Sequence, residues 1–114
     1  MRRTGAFTLV ADDEEDSEIL GFIVAEARRG SGHIITIDVV ANARRLGVGS
    51  ALLLAAEKQL RAAGAVNVAL ETAVDNDPAI RFYKRHAYFV EKTIRGYYSN
   101  QLDALKMTKP LENA

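Results

Sequence analysis

Cysteine is absent from this chain of 114 residues. That excludes disulfides and every thiolate metal site. Histidine occurs only as His33 and His86, too far apart in sequence to make a metal-site signature. Charge of one sign is also missing: 15 basic and 15 acidic side chains give a formal net charge of zero. Nothing in that balance draws the chain to nucleic acid or to an anionic membrane. The longest apolar run, Ala51 to Ala56, falls far short of a bilayer span. At the start, "MRR" is followed by "TGAFTLVA" and then by acids, which is not the order of a secretory signal. Repeats, linkers and low-complexity segments are lacking. These absences predict a single domain over residues 1–114 in a soluble, cytoplasmic protein, with no metal and with neither nucleic acid nor membrane as partner.

What is there is a core, since 48% of the residues are hydrophobic. Ala6 to Ala11 reads as a short strand. The acids Asp12 to Asp16, followed by Ser17, read as a solvated hairpin tip, with a cation or basic partner as the other reading. Ile19 to Ala27 is a second strand, and Arg28 to Gly32 a turn rich in Gly and Ser. His33 to Val40 is β-branched nearly throughout and reads as a buried central strand. A helix follows from about Gly49 to Ala63, with Leu52, Leu53, Ala56 and Leu60 on one side and Lys58 and Arg61 on the other. Gly64 ends it. Val66 to Thr72 is a strand, Asn76-Asp77-Pro78 opens a helix to about His86, and Tyr88 to Ile94 and Ala104 to Lys109 close the chain as strands. The expected fold class is α/β: a mixed central sheet with two main helices in the order β-β-β-α-β-α-β-β. The strand–helix–strand unit from His33 to Thr72 predicts a parallel pair.

Between the central strand and the first helix lies "ANARRLGVGS". A helix N-terminus leaves about four backbone N–H groups without partners and carries roughly half a positive charge. Glycines there let a ligand approach the backbone, so strand, glycine loop and helix make an anion site, usually for phosphate. Arg44 and Arg45 add full charges at its rim. A P-loop needs Gly-Lys-Ser/Thr, which is missing here, and a dinucleotide fingerprint needs a third glycine where Leu52 stands. A plain helix start with a basic flank is the alternative.

The pattern Arg44-x-x-Gly47-x-Gly49 after a buried strand resembles the acetyl-CoA signature of the GNAT acetyltransferases. The resemblance covers nearly the whole chain after Leu20 and points to the N-terminal acetyltransferases of the ribosomal-protein type. It implies that Arg44, Arg45, Leu46, Gly47, Val48, Gly49 and Ser50 hold the coenzyme pyrophosphate, largely through backbone amides. It places Ile37, Asp38 and Val39 along the pantetheine arm, with the Val39 amide facing the thioester oxygen. Glu71, at the end of "VNVALE", falls where this branch has its general base. Asn76 matches the Asn that contacts the coenzyme. Tyr83, in "AIRFYKRHAYF", matches the tyrosine beside the coenzyme sulfur, a proton donor. Tyr97 and Tyr98, in "GYYSNQLDALKM", match a pair that borders the peptide groove.

The chemistry needs an amine freed of its proton, a donor for the developing oxyanion and a proton for the departing thiolate. A free α-amine holds its proton up to a pH of about 7.7–8.0. A carboxylate such as Glu71 therefore works through water or in an altered environment; a surface Glu at a strand end is the plain alternative. Tyr83 is otherwise a core aromatic. In another branch of the family the residue matching His33 shares the proton transfer, which assigns His33 to the acceptor side. As a polar residue opening a strand, it also reads as a solvated edge residue. His86 reads as exposed.

Three departures stand out. Asp38 replaces a small apolar residue. Ala87 replaces the usual glycine after the second helix, at a cost of about 1 kcal/mol if the left-handed conformation is kept. The strand and two helices with which the family normally begins do not precede Ala6. With Ile35, Ile37 and Val39 on one side of the central strand and Ile34 and Val40 on the other, the sheet face under the missing helices is expected to be apolar and covered by a second copy. An upstream start is the competing explanation. The expected activity is direct transfer of acetyl from acetyl-CoA to an amine acceptor, foremost a protein or peptide N-terminus. The rivals are a small-amine or polyamine acetyltransferase and a catalytically weak acyl-CoA-binding module.

Overall fold

The computed structural model describes residues 5–44, 46–99 and 101–111; Met1–Arg3, read above against a secretory signal, lie outside them. The elements are β1 (Gly5–Asp12), β2 (Ile19–Arg28), β3 (Ser31–Val39), a 3-10 turn (Ala41–Ala43), α1 (Val48–Ala62), β4 (Asn67–Ala73), α2 (Asp77–Arg85), β5 (Phe89–Ile94) and β6 (Ala104–Pro110). Their order is the one the sequence predicts.

Local chemistry explains the joints. The acidic stretch is a hairpin tip: Ser17 N–H donates to the Asp13 carbonyl at 2.7 Å, and the Asp13 side chain accepts from Glu15 N–H at 3.0 Å. The β2–β3 turn is tighter than expected. Only Arg29 and Gly30 lie between the paired Arg28 and Ser31, both at positive φ (52° and 84°), as a two-residue turn matching strand twist requires. The two helices end alike. At α1, Ala65 N–H donates to the Leu60 carbonyl and Gly64 N–H to that of Arg61; at α2, Tyr88 N–H donates to Tyr83 and Ala87 N–H to Lys84. These are paired bonds around a left-handed residue. That residue is Gly64 (φ 95°) in one case and Ala87 (φ 71°) in the other.

The sheet order is β1-β2-β3-β4-β6-β5. The closing strands are thus not laid down in sequence order: β6 pairs with β4, and β5 is left at the edge. The β3–β4 pair is parallel, as expected. Both helices cover one face. Ile23, Ala25, Ile34, Val68, Leu70 and Met107 are buried against Leu52, Leu53, Ala56 and Leu60 of α1 and Tyr83 of α2 in one cluster.

The opposite face, expected to be apolar, is a mixture of apolar and polar side chains. The register slips between Val24 and Ala25, so that Ile34 opposes Ala25 and Thr36 opposes Val24. Ile35 is left over in a bulge, and the bulge puts Ile34 and Ile37 on the same, helix-covered side. The open side carries Val10, Phe22, Val24 and Phe89 interleaved with Thr8, His33, Thr36, Glu71 and Thr108.

Among the described residues, one charged group lies in the core. Glu57, only 2% exposed, accepts from the Tyr88 hydroxyl at 2.7 Å and from Lys109 Nζ at 2.8 Å. Paired on both oxygens, the carboxylate ties α1 to the start of β5 and to β6. Among the described residues, no helix is long and apolar enough to cross a membrane.

Candidate active site

β3 and β4 share only three register pairs, Ser31–Asn67, Gly32–Val68 and His33–Ala69. The bulge at Ile35 follows at once and bends β3. Past it the strands part, and a cleft of about 920 Å³ opens between them. Ile34 to Val39 form one wall and Leu70 to Ala73 the other; the start of α1, the start of α2 and Tyr98 close the remaining sides. The cleft sits at the carboxyl ends of a parallel pair, where α/β sheets bind ligands.

The α1 end of the cleft suits an anion. Gly47 takes φ 81° as N-cap, and no side chain caps the helix. The first ladder bond runs from Ala51 N–H to the Gly47 carbonyl at 3.0 Å, so the amides of Val48, Gly49 and Ser50 precede it. A side-chain carbon at Gly47 would meet no atom within 4 Å, which leaves the backbone approachable. Arg44 also lines the cleft, while its Nε donates back to the Val39 carbonyl at 3.2 Å. Ile37, Asp38, Val39, Gly47, Gly49, Ser50, Asn76 and Tyr83 line it as well. Register puts Ile37 opposite the buried Ile23 and Asp38 opposite Phe22, on the open side. Asn76 also accepts from Ala79 N–H at 3.3 Å, capping α2. Leu46 is 72% exposed and, with Val48, is not part of the lining. Arg45 lies outside the described residues.

Near the apex of the cleft, the structure brings His33 and Glu71 together. His33 Nε2 lies 2.7 Å from Glu71 Oε1, and the carboxylate is largely covered, with 16% of its side chain exposed against 42% for His33. His33 is therefore tied to Glu71 rather than solvated at an edge. The Tyr97 hydroxyl donates to the same Glu71 oxygen at a long 3.5 Å, and the Tyr97 and Tyr98 rings meet edge-on at 5.0 Å. Burial, and then the neighbouring Glu71, push the Tyr97 phenol up; burial, then Tyr97, do the same at Tyr98. Tyr83, 8% exposed, reaches the cleft from α2. Burial and then proximity to Tyr98 push its phenol up, so it keeps its proton at neutral pH. A carboxylate able to accept a proton and a phenol able to donate one thus border the same cleft.

Two contacts were missed by sequence reasoning. His86 is half-buried rather than exposed: its Nε2 lies 2.9 Å from Ser50 Oγ and its ring 4.9 Å from that of Phe82. No spacing signals a contact across 36 residues. Glu57 did leave a sign, since it falls between Ala56 and Leu60 on the helix stripe that also holds Leu53.

Comparison with known proteins agrees with this architecture. A model described as "Acetyltransferase (GNAT) family" matches residues 1–88. An N-alpha-acetyltransferase of Sulfurisphaera tokodaii is 36% identical over 111 residues, covering 86% of this chain and 66% of that protein. The crystal structure of Ard1 from Thermoplasma volcanium superposes with a TM-score of 0.82 at 34% identity, covering 86% of this chain and 67% of that one. Nourseothricin acetyltransferase superposes with a TM-score of 0.88 at 29% identity, covering 94% and 66%. The chain spans 65–66% of the length of the first curated relatives it matches.

Proposed function

The chain belongs to the acetyltransferase (GNAT) family, and on that premise we propose that it moves acetyl from acetyl-CoA to an amine, foremost the α-amine of a protein or peptide N-terminus. One observation carries the reading. A single cleft, opened by the parting of β3 and β4, joins the uncapped start of α1 to the His33–Glu71 pair and Tyr83. The α1 amides and Arg44 hold the pyrophosphate of acetyl-CoA. Glu71, oriented by His33, takes the proton of the amine directly or through a water, and Tyr83 returns one to the leaving sulfur. The amine attacks the thioester carbon; a C–N bond forms, the C–S bond breaks, and the oxyanion between them needs a backbone donor, the role assigned to Val39 N–H. Tyr97 and Tyr98, beside Glu71, border the acceptor.

The N-terminal acceptor draws support from the Sulfurisphaera relative, named an N-alpha-acetyltransferase. With such acceptors, we infer, the protein works in the cytoplasm. A small-amine acceptor is the second reading, favoured by Asp38 on the cleft wall and by the likeness to nourseothricin acetyltransferase. Acetylation of a peptide N-terminus panel against a panel of amines and polyamines separates them. Glu71→Gln, which keeps shape and removes the basic carboxylate, lowers kcat on the competent acceptor by about 10²-fold or more. Coenzyme binding without turnover on either panel leaves only an acyl-CoA-binding module, and full activity of Glu71→Gln removes the base assignment.

The uncovered sheet face we assign to a second copy of the chain. Val10 and Phe89, each 54% exposed, lie on it, and the edge strands β1 and β5 each have one neighbour. A two-fold arrangement covers such a face with its own like. Sedimentation at micromolar concentration tests this, and a compact monomer that binds no hydrophobic dye overturns it.

A further inference from the structure

Ser50 stands in the first turn of α1, on the cleft wall, and its hydroxyl faces His86 Nε2 at 2.9 Å. The histidine is held there from two sides. Phe82 packs its ring against the imidazole and also abuts the first turn of α1, where a side-chain carbon at Gly49 would sit 3.4 Å from it. A hydroxyl has one proton to give. While Nε2 is bare, that proton is committed to His86, and Ser50 turns only lone pairs toward the place where an anion sits. Once Nε2 carries a proton, it donates to Ser50 Oγ, and the serine proton is released to the cleft.

We propose that His86, acting through Ser50, is a positioning residue that couples binding of the coenzyme's pyrophosphate to uptake of a proton. The inference rests on the pyrophosphate site described above. The charged groups around the ring are Glu57 from α1, Lys109 from β6 and Arg85 from α2. Burial first of all holds the imidazole below its ordinary value; Glu57 opposes this, and Lys109 and Arg85 add to it. In the free protein near neutral pH the ring is therefore predominantly neutral, and the relay acts in the tautomer whose proton is on Nδ1, with Nε2 bare toward Ser50. A bound dianionic pyrophosphate favours the protonated ring twice, by its charge and by the serine proton it then receives. Raised on binding, the group takes up a proton, so affinity falls as pH rises between the free and bound values.

Calorimetry of coenzyme A binding tests this, in buffers of small and large ionisation enthalpy from pH 6 to 8. The parent is expected to take up a substantial fraction of a proton more than His86→Gln, whose amide can still donate to Ser50 but cannot titrate. The parent's affinity should fall with pH more steeply than that of the variant, up to about tenfold per pH unit for one full proton. Ser50→Ala, which leaves His86 and the anion's charge in place, should take up clearly less of a proton than the parent, by the share that runs through the hydroxyl. Equal proton counts in the parent and in His86→Gln overturn the coupling while leaving the pyrophosphate site standing, and excess uptake undiminished in Ser50→Ala overturns the relay through the hydroxyl. Absence of coenzyme A binding in the parent overturns both.

Discussion

Replacing Tyr88 by Phe removes one oxygen from a place where it has a single task. The Tyr88 hydroxyl is bonded at 2.7 Å to Glu57 Oε2, and the two residues are 3% and 2% exposed, so water cannot take over. A hydrogen bond to a charged group contributes about 1.5–3 kcal/mol, and a buried acceptor left bare carries a desolvation penalty of the same size. The ring stays, and with it the packing against Tyr83 at 5.8 Å and the Lys109 ammonium 5.6 Å from its centre. The loss therefore falls on the hydroxyl alone. At about 4–6 °C per kcal/mol for a domain of this size, the expected Tm drop is roughly 6–18 °C. Burial, then the bond to Glu57, push the Tyr88 phenol far above the ordinary 10.0. Its contribution is fully present below about pH 10 and is lost as the unfolded chain ionises above it, so the gap between parent and variant narrows in alkali. Lys109→Met, breaking the other half of the pair, costs about 3 kcal/mol; replacing Glu57 and Lys109 by apolar residues together with Tyr88→Phe, so that no buried polar group is left bare, recovers most of that. Thermal and urea melts of the four proteins at pH 7 and pH 10.5 measure all of this. A Tyr88→Phe variant within about 0.5 kcal/mol of the parent refutes the view that the buried carboxylate depends on that hydroxyl.

At the anion site, Gly49→Asp adds a negative charge at a helical position where a new side-chain carbon meets Phe82 at an ordinary 3.4 Å. Coenzyme affinity is expected to fall at least about tenfold, or 1.4 kcal/mol, with the melting profile unchanged, as calorimetry would show. Tyr83→Phe should lower kcat by about 10²-fold with little change in coenzyme affinity; single-turnover kinetics read the chemical step. Ala87→Gly, at φ 71°, relieves a left-handed alanine and should stabilise by about 0.5–1 kcal/mol, whereas Gly64→Ala at the matching end of α1 should destabilise by a similar amount; thermal melts compare the two.

The sequence by itself determined what depends on near neighbours. The apolar stripe of α1, the Asn76 cap, Gly64 beyond the helix and the glycine loop before it are each written in a few consecutive residues. The chemistry of an α-helix end or a turn acts over that range. The element order followed, and with it the family and many, though not all, of the residues that line the cleft, Leu46 and Val48 lying outside it. Tertiary structure decided everything that depends on register and on strands distant in the chain. The slip at Ile35 puts Ile34 and Ile37 on one side where alternation had put them on opposite sides, because a one-residue shift moves every later side chain to the other face. β6 enters the sheet beside β4 although β5 comes first. His33 meets Glu71 across 38 residues and Ser50 meets His86 across 36. Glu57 is buried because Tyr88 and Lys109 arrive to satisfy it; a carboxylate enters a core only when partners are supplied, and those partners come from strands that the order of residues does not place.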